Sequence, residues 1–110
     1  MQDSDRIRKM LVCVGKILTY CKGQTYDTFT ANSMLVEACV FNLSQIGEYC
    51  HGISEGFIAD HPDVPWFEMY GLRNRIVHDY DGVNLKLVWE TIAGDLPQLY
   101  PILENMLKEA

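Results

Sequence analysis

A bundle of α-helices is the fold class that this sequence predicts, on three observations. Apolar residues recur at intervals of three and four over long stretches, no stretch of useful length alternates apolar with polar residues, and the segments between the periodic stretches are short. The expected architecture is a four- to five-helix up-and-down bundle whose last helix is kinked near Pro97. With 110 residues, 48% of them apolar, the chain has the length of a single domain spanning residues 1–110 and enough apolar surface to fold alone.

Asp3, Ser4 and Asp5 supply cap candidates and negative charge for the first helix, whose stripe is Ile7, Met10, Leu11, Val14, Ile17, Leu18 and Cys21. It ends before Gly23. Arg6, Arg8 and Lys9 fall largely off the stripe and read as a solvated face. Residues 23–30 form a connector, with Thr30 or Asp27 placed to cap the next helix. The second helix runs from about Ala31 to Ile53, with Leu35, Cys39, Ile46, Tyr49, Cys50 and Ile53 as its main stripe. Met34, Val36, Val40 and Phe41 spread apolar surface round most of its circumference, which marks it as central. Asn42 lies inside the stripe, and Gln45 and Glu48 follow one edge. Residues 54–65 are a loop that keeps a helical turn around Phe57 and Ile58, and Pro65 suits the first turn of the third helix. Asp81 and Gly82 end that helix, so His78 and Tyr80 fall at or near its C-terminus. Asn84 caps the fourth, and Leu85, Val88, Trp89, Ile92, Leu96, Leu99, Leu103 and Met106 hold register to the end. Pro97 and Pro101 lack amide donors and crowd the preceding turn, so a kink or restart is expected there, beside Gly94 and Asp95.

The formal charge is -6, from 15 acidic and 9 basic residues. That balance excludes a general nucleic-acid binder, which needs a broad basic surface, and makes any RNA or phosphate contact local. Arg73 and Arg75 are one basic cluster; Arg6, Arg8 and Lys9 are the other. No apolar run approaches the length needed to cross a bilayer and the N-terminus is polar, so no membrane association and a cytoplasmic location are expected. Cys13, Cys21, Cys39 and Cys50 are too far apart for a Cys-x-x-Cys zinc site and read as core thiols.

The stretch Arg73-Asn74-Arg75-Ile76-Val77-His78-Asp79-Tyr80 carries the chemistry. On a helix, Trp66, Met69, Tyr70, Ile76, Val77 and Tyr80 share an apolar arc, and Arg73 falls near its middle. A guanidinium there needs a carboxylate, a partner subunit or a phosphate. Glu48 or Asn42 on the second helix is expected to supply the contact; the alternative leaves Glu48 in solvent and Asn42 bonded to nearby backbone. His78 lies roughly 140° round the helix from Arg73, so the two do not share a face within one straight helix. Asn74 and His78 do, and Gly71 behind them leaves room for something to come close. Two copies around a symmetry axis, or a helix ending near His78, make the better Arg–His site.

Histidine moves a proton near neutral pH, and arginine holds two phosphate oxygens and steadies charge growing on them. Together they suffice, without metal or cofactor, for attack of an RNA 2'-hydroxyl on its neighbouring phosphodiester. A metal site built on His78, Asp79 and Asp81 lacks a completed shell. His51 and His61 read as loop or helix-end residues, and no Gly-rich phosphate loop or Ser or Cys nucleophile signature is present.

The segment from Arg73 to Tyr80 resembles the Arg-x4-His-x-Tyr motif of the HEPN superfamily, in its HepT toxin (DUF86) branch. Pro65-Trp66, Gly47-Glu48, Val88-Trp89 and Asp95-Leu96-Pro97 are similar to that family's other landmarks, in order and spacing. The resemblance implies a HEPN-like bundle that forms a homodimer, with the motifs of two protomers facing one cleft and cutting RNA without a metal. Arg73 and His78 match the family's catalytic pair, and Asn74 its polar residue after the arginine. It also implies a cognate minimal nucleotidyltransferase antitoxin that transfers AMP to the motif's tyrosine, here Tyr80. Two rival readings stand beside this one: a non-catalytic module whose cleft binds a nucleotide or a partner nucleotidyltransferase, and a purely structural dimerisation bundle in which Arg73 pairs with Glu48.

Overall fold

The computed structural model describes residues 1–78 and 83–109, except for the side chains of Val77 and His78. Expectations for Asp79, Tyr80, Asp81 and Gly82 lie outside the described residues, as do those for the two side chains. Among the described residues every regular element is helical: α1 (Asp3–Tyr20), α2 (Tyr26–Thr30), α3 (Ser33–His51), α4 (Glu55–Asp60), α5 (Trp66–His78), α6 (Leu85–Glu90) and α7 (Leu96–Glu109), with a single π-helical turn over Thr91–Asp95 joining the last two. Four long rods result, α1, α3, α5 and the α6–α7 run, with two short helices in the connections. α3 is the central rod and packs against both α1 and α5, while α7 lies on α1. This is the all-α bundle expected from the spacing. No helix among the described residues is long and apolar enough to cross a membrane.

The helix ends follow local chemistry, although several caps differ from expectation. α1 begins with Gln2 as an N-cap that makes no side-chain bond. Asp3 instead accepts from the Ser54 backbone N–H at 3.0 Å and the Ser54 hydroxyl at 2.6 Å, tying the N-terminus to the start of α4. Past Cys21 the chain reverses at Gly23, whose φ of 77° is a conformation that side-chain-bearing residues rarely adopt. The expected connector over residues 23–30 contains α2, started by a reciprocal capping box between Thr25 and Thr28. Its Phe29 is fully buried, with its ring 5.1 Å from that of Trp89. Neither Thr30 nor Asp27 caps α3; Asn32 does, accepting from Leu35 N–H at 3.1 Å. Asn84 caps α6 as expected, from Leu87 N–H at 3.1 Å.

The irregularity expected near Pro97 is the π turn immediately before it. Proline in position 97 has no N–H to offer the preceding turn, and a widened turn accommodates that without breaking the rod. Side chains help: Gln98 donates to the Gly94 carbonyl at 3.3 Å and Thr91 to the Leu87 carbonyl at 3.0 Å. Pro101 is accepted inside α7.

The core joins Ile7, Met10, Val14 and Ile17 of α1 to Cys39, Leu43 and Ile46 of α3 and to Leu96, Leu99 and Leu103 of α7. Cys21, Cys39 and Cys50 are buried free thiols, with the Cys21 and Cys39 sulfurs 3.5 Å apart. Burial pushes the Cys39 and Cys50 thiols up to about 12, which keeps them protonated and unreactive.

One contact sets the separation of α3 from α5. A Cβ added to Gly47 would collide with the Cβ of Arg73 and lie 2.8 Å from the Met69 carbonyl oxygen. Only glycine lets the two backbones come this close. Gly47→Ala gains roughly 1 kcal/mol of helix propensity, but it must push two backbones apart, which typically costs about 1–3 kcal/mol. A net loss in urea-unfolding stability is therefore expected; a stability equal to or above wild type would mean that the seam is loose.

Candidate active site

Close approach at Gly47 delivers Arg73 to the next residue of α3. Arg73 Nη2 lies 2.8 Å from Glu48 Oε2, and Arg73 Nη1 donates to Asn74 Oδ1 at 2.8 Å. The arginine side chain keeps 27% of its surface in solvent and the glutamate 50%. Glu48 is thus both of the things considered for it, partner to Arg73 and half in water. Asn42 is not part of this contact: its amide donates to the Ala38 carbonyl one turn back, at 2.9 Å. A carboxylate fits a guanidinium better than a neutral amide does, and Asn42 sits on the side of α3 that meets α1.

This arrangement leaves Arg73 able to bind an anion. Guanidinium has five N–H donors, and the two contacts above do not exhaust them. Because arginine only donates, Asn74 must turn its oxygen towards it, which leaves the amide NH2 as a further donor beside the same position. Asn74 therefore orients Arg73. The backbone of His78 closes α5, as expected from the turn signal, one helical turn beyond Asn74. The backbone thus brings Arg73, Asn74 and His78 onto the last turns of one helix.

A second pair at this seam escaped the reading of the sequence. Three residues on along α3 and three back along α5, the rings of His51 and Tyr70 stack 4.4 Å apart and 11° from parallel. His51 is a helix-end residue, as expected, yet it is also part of the polar strip running from Glu48 and Arg73. The signal was available: two antiparallel helices that pair Glu48 with Arg73 must also bring His51 beside Tyr70 one turn away. His61 has a local role. It stacks on Phe57 at 4.2 Å, its Nδ1 lies 2.9 Å from the Phe57 carbonyl oxygen, and its own carbonyl receives the Trp66 indole N–H at 3.0 Å.

On the far side of the seam a largely apolar groove of about 540 Å³ is lined by Val36, Val40, Phe41, Ile76, Val83 and Leu85, with the carboxylate of Glu37 and three small hydroxyl side chains completing it. Phe41 and Met34 expose 61% and 79% of their surface on the same side of α3.

A helical bundle with an Arg-x4-His spacing at the end of one helix agrees with the HEPN-type domain that the motif resembles. The profile of the family described as HepT-like, Ribonuclease HepT-like, matches residues 10–106. The chain belongs to that family. It is similar to "Probable ribonuclease HepT" of Thermococcus cleftensis, 31% identical over 104 residues that cover 94% of each chain. It is also similar to "Putative RNase TTE0752" of Caldanaerobacter subterraneus, 34% identical over 88 residues, covering 80% of this chain and 79% of the relative. A third relative, "Putative RNase MJ1380" of Methanocaldococcus jannaschii, is 33% identical over 90 residues, covering 82% of this chain and 83% of its own. No solved structure matches the chain.

The Glu48–Arg73 pair is half exposed and screened, so its contribution to stability is small, under about 1 kcal/mol. Glu48→Gln is expected to shift the urea midpoint little, whereas Gly47→Ala shifts it clearly; a large loss in Glu48→Gln would mark the pair as structural and buried from solvent in the working assembly.

Proposed function

We propose that this protein is a metal-independent endoribonuclease, the toxin of a HEPN and nucleotidyltransferase toxin–antitoxin pair, whose cutting site is composite and lies at a homodimer cleft. The observation that carries the reading is Arg73, only partly engaged by Glu48 and Asn74, on the helix that ends at His78. Membership of the ribonuclease HepT-like family and the names of the relatives support it. In the proposed reaction the RNA 2'-oxygen attacks the adjacent phosphorus as His78 accepts the 2'-hydroxyl proton. The bond from phosphorus to the 5'-oxygen breaks, and that oxygen leaves as a hydroxyl after taking the proton back from the imidazolium. A 2',3'-cyclic phosphate remains. Arg73 steadies the charge on the non-bridging oxygens, and Asn74 donates beside it. Dimerisation is supported by the apolar groove and by the exposure of Met34 and Phe41, which water leaves unsatisfied.

The partner in this reading is a minimal nucleotidyltransferase that moves AMP from ATP to the Tyr80 hydroxyl, releasing pyrophosphate. The adduct places negative charge and bulk beside the cleft and repels RNA phosphate. The Glu48 contact favours one alternative specifically: an arginine already paired with a carboxylate suits a non-catalytic module that binds a nucleotide or its partner enzyme.

Purified protein incubated with RNA in EDTA separates the two. Cleavage leaving 2',3'-cyclic ends, reduced at least about a hundredfold in both Arg73→Ala and His78→Ala, is the expected result. Equal activity in wild type and both variants points to a contaminant, and no cleavage with intact nucleotide binding points to the module. After co-expression with the proposed partner nucleotidyltransferase, mass spectrometry should locate the adenylate on Tyr80; an adduct found only elsewhere removes the switch.

A further inference from the structure

A second open groove lies where α1 runs beside α3, on the side away from α5. It measures about 450 Å³ and is lined by Arg8, Lys9 and Lys16 of α1 and by Asn42, Gln45 and Tyr49 of α3, with Phe41 on its rim. Three of the 9 basic residues of the chain line it, and none of the described acidic residues does. In a chain with this charge balance an arbitrary patch of surface would carry more acid than base. Among the described residues, Lys9 and Lys16 form no ion pair. Arg8 meets Asp5 at 3.1 Å, but both partners are half in water or more, and a screened pair of that kind exchanges readily for phosphate. Lys16 leans over the wall of the groove closely enough for its charge to oppose the rise that burial causes in the Cys13 thiol.

Basic residues alone would read as a solvated helix face. The same groove also carries the ring of Tyr49 and the side-chain amide of Gln45, with Phe41 on the rim it shares with the apolar groove; Asn42 lies beneath, buried and bonded to its own helix. Cations that follow a phosphate backbone, aromatic faces on which bases stack and amides that meet base edges are the combination by which proteins hold single-stranded nucleic acid. Val12, Cys13 and the Phe41 rim give the groove an apolar wall that a second copy of this chain would also cover; a polyanion is favoured because every described charge lining it is a cation.

We propose that the α1–α3 groove is a track for single-stranded RNA, separate from the cutting centre, in which Arg8, Lys9 and Lys16 hold phosphates while Tyr49 stacks a base. This inference rests on the ribonuclease reading and gives it a substrate-holding surface. The track also explains how an acidic protein holds RNA: the contact is local, on one groove, and the rest of the surface repels.

Binding of a fluorescent single-stranded RNA whose 2'-positions are methylated, and which therefore cannot be cut, tests the proposal by fluorescence polarisation over a range of salt. Each phosphate contact on a single strand contributes about 0.7 to the slope of log affinity against log salt. Lys9→Gln with Lys16→Gln is expected to weaken binding and to lower the slope by about 1.4. Lys22→Gln with Lys108→Gln, which removes the same charge outside the groove, is expected to change it little. Equal effects from the two pairs, or none from the groove pair, overturn the track. So does a groove pair that alters sedimentation mass and leaves RNA affinity alone, because the groove then belongs to a second copy. Wild-type protein that cuts RNA while its binding ignores the groove pair loses only the track; wild-type protein that neither binds nor cuts RNA loses the ribonuclease reading with it.

Discussion

Contact between the backbones of α3 and α5 at Gly47 is the constraint on which the site depends. It sets the spacing of the two helices, and it puts Glu48 opposite Arg73 with no side chain between them. A cation placed on a largely apolar helix face is unfavourable unless something neutralises it, and here the neighbouring helix does so with a carboxylate at the edge of solvent. The pairing orients the guanidinium and leaves about a quarter of the arginine side chain and half of the glutamate's in solvent. A buried version of the same pair would have held Arg73 out of reach of any substrate.

The sequence carried the bundle because each long rod writes its buried face as a three-four repeat: Ile7, Met10, Val14 and Ile17 are spaced as they are because they meet α3 and α7. Glu48 as the partner of Arg73 was legible for a simpler reason, since an arginine amid apolar residues demands an acid. Phe29 was not legible, because five residues of α2 are too few for a period to emerge and its neighbours are polar. Asn42 misled because position within a stripe says that a residue is buried but not which neighbour it faces, and a short amide on a helix can always turn to the carbonyl four residues back. His51 and Tyr70 are joined only through the register of two helices, which neither local stretch contains.

The charge balance looks different once the fold is in place. Read as a total, -6 argues against RNA; read locally, the α1–α3 groove is lined by cations alone among its described charges, and the α3–α5 seam matches Arg73 to Glu48. Nonspecific affinity follows the broad field of a protein, while a cutting site needs only the few donors that face one phosphate.

Arg73 and His78 lie on different sides of the same helix by sequence geometry, so the composite arrangement is the central claim. Dimers assembled from one Arg73→Ala protomer and one His78→Ala protomer, purified with two different affinity tags, measure it directly. If each site takes its arginine from one copy and its histidine from the other, the mixed dimer keeps one complete site and cuts RNA at about half the wild-type rate, while each variant alone is inactive. A mixed dimer as inactive as its parents would contradict the shared site.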